Sequence, residues 1–218
     1  MSRQVFAYAA PFACYVLFLA LRMQFGTDAA FDVRWLYGVQ VAVVSVLLLA
    51  CARQYADLRG HLPTAPVSAL SVLCGIAVFI VWINLDASWM KLGESAGYSP
   101  LRQDGRVDPW LAVVRACGAA LVVPVMEELF WRSFLMRWMM DRDFGGIDPR
   151  KIGWTPLVAV SLVFGLEHDL WLAGVIAGLA YGYLYMRTAS LWAPVIAHAV
   201  TNGLLALWVL AGGRWEYW

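Results

Sequence analysis

Glu127 and Glu128 stand side by side in residues 122–132, a stretch otherwise suited to lipid. Arg132 follows them, and His168 and His198 each interrupt a separate apolar run. An ionisable side chain at mid-membrane depth costs roughly 2.5–3.5 kcal/mol on insertion scales. A chain that keeps several of them there puts them to use, and acid–base chemistry is the use these residue types suit. Glu128 and Arg132 are four positions apart, so they share a helix face and can pair. Pairing is the least costly way to hold both charges in a low dielectric. Glu127 points about 100° away on the same helix, so it is left unpaired. An unpaired carboxylate in apolar surroundings is a better proton acceptor at neutral pH than a paired one. Phe164 and His168 are also four apart, as are His198 and Asn202. An imidazole and a carboxamide on one face can donate hydrogen bonds to one point, as an oxyanion requires. Glu167 and Asp169 flank His168 and read as polar supports or pocket rim, with Glu167 or Asp169 a possible substitute for Glu127. His61 lies in a proline-bearing loop and reads as solvated.

These groups need scaffolding, and composition says of what kind. The chain has 218 residues, 62% hydrophobic and 14% charged. A soluble domain is about half apolar and a quarter charged. The formal net charge of +1, without an acidic or basic tail, excludes a nucleic-acid binder of the usual electrostatic type. Twelve Trp are present, and Trp35, Trp110, Trp154, Trp171 and Trp192 mark the ends of apolar runs, as an interfacial belt would. Cys14, Cys51, Cys74 and Cys117 form no C-x-x-C pair, so they read as small buried hydrophobes.

Apolar runs fall at about 5–25, 35–52, 67–85, 110–140, 154–168, 171–187 and 191–211. A membrane crossing takes about 20 residues. The expectation is an all-α polytopic membrane protein of seven to eight transmembrane helices with a polar cavity inside the bundle, in one domain spanning 1–218. The first run is long for a signal peptide and reads as a retained span. Run 110–140 is too long for one straight crossing, and Pro124 is expected to kink it, leaving an interfacial extension. Basic residues divide evenly between alternate loops, so the positive-inside rule gives no orientation.

Glu127-Glu128-x-x-x-Arg132, Phe164-x-x-x-His168 and His198-x-x-x-Asn202 together resemble the three ordered motifs of the CPBP intramembrane proteases, the CAAX-protease and bacteriocin-processing (Abi) family. The resemblance covers about residues 110–210. It implies an eight-helix membrane fold and peptide-bond cleavage in or near the bilayer. It implies that Glu127 and His168 activate water while His198 and Asn202 hold the oxyanion, with Glu128, Arg132 and Phe164 in support. The segment Trp82-Ile83-Asn84-Leu85-Asp86 is similar to the branch that accompanies bacterial exosortase sorting systems. That implies an inner (plasma) membrane location and a protein or peptide substrate that is lipidated or carries a C-terminal sorting tail.

Zinc is the alternative cofactor, with Glu127, His168 and His198 as its conceivable ligands. There is no H-E-x-x-H, and zinc on both histidines would leave Asn202 as the one obvious oxyanion donor, so a metal-free glutamate mechanism is the expectation. A proton-coupled transporter would also keep buried Glu and His, yet the chain lacks an inverted repeat. A non-catalytic immunity or scaffold protein is a third reading.

Overall fold

The computed structural model describes residues 2–22, 24, 32–60, 62–93 and 97–218. His61 lies outside them. Among the described residues, seven long helices carry the fold: α1 (Arg3–Arg22), α2 (Leu36–Cys51), α3 (Ala65–Asn84), α4 (Pro109–Met136), α5 (Trp154–Leu166), α6 (Trp171–Thr188) and α7 (Trp192–Gly212). Short 3-10 turns join several of them, and among the described residues one isolated bridge, Leu101 to Val107, is the sole β pairing. The all-α expectation is met. Five segments are long and apolar enough to cross a bilayer: α1, Val33–Gln54 containing α2, α3, α4 and α7; α5 is a shorter apolar helix. This is an integral membrane protein.

The outward faces confirm the solvent these helices are built for. Leu49 is 76% exposed, Leu207 67% and Leu73 64%, all within helices. Such apolar cover would be a liability in water and costs nothing against acyl chains. Trp35, Trp110 and Trp154 are exposed at helix starts, where a belt residue belongs. The cysteines are free, but Cys117 is exposed and the other three half-buried, so they are less enclosed than small core hydrophobes.

α4 keeps Pro124 within one continuous run of 28 residues. Asp108 starts it by accepting hydrogen bonds from the Trp110 and Leu111 amides, and Pro109 at the first turn needs no partner for its missing N–H. Pro124 cannot bond the carbonyl four residues back. The helix absorbs that defect in a π turn over Gly118–Val122, and a second π segment follows at Leu129–Met136. Glu127 and Glu128 sit on the α-helical stretch Val123–Glu128 between the two wide turns. Such widened turns recur at functional sites because they re-aim side chains.

Small residues bring the helices around the site close. A Cβ on Gly178 would lie 2.9 Å from Ser161 Cα, and one on Gly174 2.9 Å from Gly165 Cα, so α5 and α6 touch backbone to backbone. A Cβ on Gly75 would reach 2.3 Å from the Ala197 carbonyl, which sets α3 directly against α7. Close approach through small residues is the usual way membrane helices gain packing energy.

Candidate active site

Glu128 is the hub. It is fully buried and accepts from Arg132 Nη1 at 3.1 Å, the i,i+4 pair expected from spacing. The same Oε1 lies 2.9 Å from His198 Nδ1 on α7. Arg132 is 1% exposed, lies 4.4 Å over the Phe164 ring and directs Nη2 at the Gly178 carbonyl, 3.5 Å away. One carboxylate thus ties α4 to α7, while its arginine reaches α5 and α6.

Glu127 turns away from this pair, as its place on the helix requires. It is 7% exposed, and its Oε2 has no hydrogen-bond partner and sits 4.0 Å from His198 Nε2. His198 therefore lies between two carboxylates, one at each ring nitrogen. Tyr181 stacks on the imidazole at 5.1 Å and 22° and donates its hydroxyl proton to Thr201 Oγ1 at 2.7 Å. Thr201 in turn lies 2.9 Å from the Gly75 carbonyl. The ring is clamped in plane and in rotation.

His168 follows the last residue of α5 instead of lying within the helix, so Glu167 and Asp169 occupy a turn and not helix faces. Its Nδ1 is 2.8 Å from the Phe164 carbonyl, and Trp82 meets the ring edge-on at 5.3 Å. With Nδ1 donating to that carbonyl, the neutral ring presents the Nε2 lone pair. The same logic applies to His198 if Glu128 is ionised against Arg132. Its Nε2 then accepts when the ring is neutral and donates only when it is cationic. Asn202 donates Nδ2–H to the Ala119 carbonyl at 2.8 Å, so one of its two amide protons is already used in joining α7 to α4.

Glu127, His168, His198 and Asn202 all line one cavity of about 790 Å³. Phe12 and Tyr15 of α1, Trp82 of α3 and Tyr181 also wall it. Glu167 and Asp169 line it too and are exposed, which is the rim position expected of them. Among the described residues, no group of three or more His, Cys, Asp and Glu is close enough to hold a metal ion. The set Glu127, His168 and His198 thus does not fit zinc as placed.

Tyr181, Thr201 and Arg115 escaped the sequence reading. The run Gly174-x-x-x-Gly178-x-x-x-Gly182 on α6 was the available signal for Tyr181, since it marks a bare helix face that must meet a neighbour.

Residues 109–204 match the family model described as type II CAAX prenyl endopeptidase Rce1-like. That segment is under half of the chain. That segment holds all seven residues of the three motifs and is consistent with the CPBP family. Over 173 residues the chain is 24% identical to the protein named "Putative membrane peptidase YdiL" of Bacillus subtilis (strain 168), covering 76% of this chain and 66% of that one. The matched part is thus just under two thirds of that relative's length. No solved structure matches the chain. The matched segment runs from α4 through most of α7, whereas α1 and α3 add the further cavity walls Phe12, Tyr15 and Trp82.

Proposed function

We propose that this protein is an intramembrane endopeptidase of a bacterial inner membrane that cleaves near the C-terminus of a membrane-associated or sorted protein. The convergence of Glu127, His168, His198 and Asn202 on one cavity carries the reading. Glu127, aided by His168, takes a proton from a water molecule, and the resulting hydroxide adds to the peptide carbonyl carbon. The carbonyl oxygen becomes an oxyanion. The free amide proton of Asn202 and the Nε2–H of a protonated His198 hold it, while Nδ1–H stays on Glu128. The C–N bond then breaks, and Glu127 passes its proton to the departing amine. The Glu128–Arg132 pair fixes the ring and takes no part in proton transfer. The reading needs no metal: glutamate and solvent supply the nucleophile, and the substrate is a lipidated protein or a C-terminal sorting tail.

The test is mass spectrometry of membrane proteins from cells with the wild-type chain or with Glu127→Gln at equal expression. A shortened C-terminus that depends on Glu127 supports the reading. Unchanged processing by a folded Glu127→Gln protein removes it, and substrate uptake into proteoliposomes without proteolysis would put a transporter in its place.

A further inference from the structure

Two half-buried arginines, Arg115 and Arg22, lack the carboxylate that the buried Arg132 and Arg137 have. Arg132 pairs with Glu128 and Arg137 with Asp57. Arg115 and Arg22 pair with no carboxylate among the described residues. Their Nε atoms are buried without a hydrogen-bond partner. Arg115 lies 4.5 Å over the Tyr37 ring and 5.4 Å over that of Tyr98, and Arg22 lies 6.0 Å from the same Tyr37. Ring faces soften the desolvation of a cation but do not neutralise it. Two neighbouring half-buried cations favour an anion between them, and Arg115, unlike Arg22, lines the cavity, as does Lys91. The nearby cavity carboxylate Glu216 is engaged by Arg214 at 2.7 Å.

We propose that Arg115 anchors the terminal carboxylate of a peptide lying in the cavity, so that it selects free C-termini and sets how far from the end the chain is cut. The proposal rests on the peptidase reading and names the substrate group that site takes. A guanidinium fork matches a carboxylate with two parallel hydrogen bonds. Arg115 and Glu127 are twelve positions apart on α4, at most about 18 Å along the axis, part of which the arginine side chain spans. An extended peptide covers about 3.3–3.6 Å per residue. A terminus at Arg115 thus brings the bond about three to five residues upstream beside Glu127. A lipid phosphate is the rival occupant, but Arg115 lines the cavity shared with Glu127, where a peptide would lie.

The test uses the full chain with Glu127→Gln in detergent micelles, so that nothing is consumed. The probe is a dansylated hexapeptide of small apolar residues, as free acid and as amide, with binding read by energy transfer from tryptophan. The free acid should bind at least tenfold more tightly. Adding Arg115→Met should bring the two to within twofold; if that chain does not fold, Arg115→Lys should cut the preference at least threefold through loss of the fork. Equal binding of acid and amide, or a preference that survives both substitutions, overturns the proposal. So does abolition of the preference by phosphatidylglycerol but not phosphatidylcholine, which would assign the site to a lipid headgroup. An Arg115-dependent preference without cleavage by the wild-type chain would leave the anchor standing and end the peptidase reading; cleavage without the preference would do the reverse.

Discussion

Removing one partner of the Glu128–Arg132 pair should cost far more than removing both. Each side chain is almost wholly enclosed, at 0% and 1% exposure. Glu128→Met leaves a guanidinium whose remaining contacts are the Gly178 carbonyl and the Phe164 and Tyr181 rings. Arg132→Met leaves a carboxylate held by His198 alone. An uncompensated buried charge destabilises by about 3–5 kcal/mol, so the two single costs sum to about 6–10 kcal/mol. The double variant strands neither charge. It loses one charge-assisted hydrogen bond to His198 and the stacking under Arg132, together about 2–3 kcal/mol. The coupling is therefore at least about 3 kcal/mol, the difference between the low end of the sum and the high end of the double. Unfolded helices in detergent find substitute partners, which pulls every value toward its low end without removing the sign. The measurement is reversible unfolding in mixed micelles with increasing sodium dodecyl sulfate. Single-variant costs that add to the double within about 0.5 kcal/mol would mean the side chains do not interact, and the hub would be wrong. A second readout tests its role: the ¹⁵N signal of His198 Nδ1 should lose its strongly hydrogen-bonded character in Glu128→Met.

Other outcomes follow from single contacts. Asn202→Ala should lower kcat by about 10²–10³-fold with little change in KM if its amide holds the oxyanion, checked by steady-state cleavage. It should also loosen α7 from α4, because Nδ2 donates to Ala119, and Asn202→Asp should not restore activity. Gly75→Ala forces a methyl to 2.3 Å from the Ala197 carbonyl, so α3 must move from α7 at a cost of about 1–3 kcal/mol in the same unfolding assay. At the C-terminal tail, the hydrogen bond and charge of Arg214 hold the exposed Glu216 carboxyl below its ordinary range. A depressed carboxyl contributes order above its unfolded value and loses it as pH falls through the folded one. Amide exchange at Tyr217 and Trp218, corrected for intrinsic rate, should quicken on acidification below about pH 4, and Arg214→Gln should move that onset upward.

What could be foreseen divides along a physical line. Features fixed within one helix were legible. Glu128 with Arg132 follows from a four-residue spacing, and the separation of Glu127 follows from the 100° turn between neighbours. The packing of the Phe164 ring beside His168, at 4.8 Å, follows from a four-residue spacing, although the helix ends before the histidine. Features made by two helices meeting were not. The placing of His198 between both glutamates depends on how α7 meets α4, and α7 is held close to α3 by Gly75, whose absent side chain gives no periodic signal. Pro124 was legible as a defect but not as a π turn, because the same missing hydrogen bond can bend a helix or widen it, and the neighbours decide which. Asn202 was legible as a donor, yet the Ala119 carbonyl that takes one of its protons lies in that widened turn. The site is therefore more constrained than its motifs suggest. An amide with one proton committed and an imidazole gripped at Nδ1 each have a single atom left to offer. Both atoms belong to the cavity that holds Glu127, which is why loss of either should depress turnover more than substrate binding.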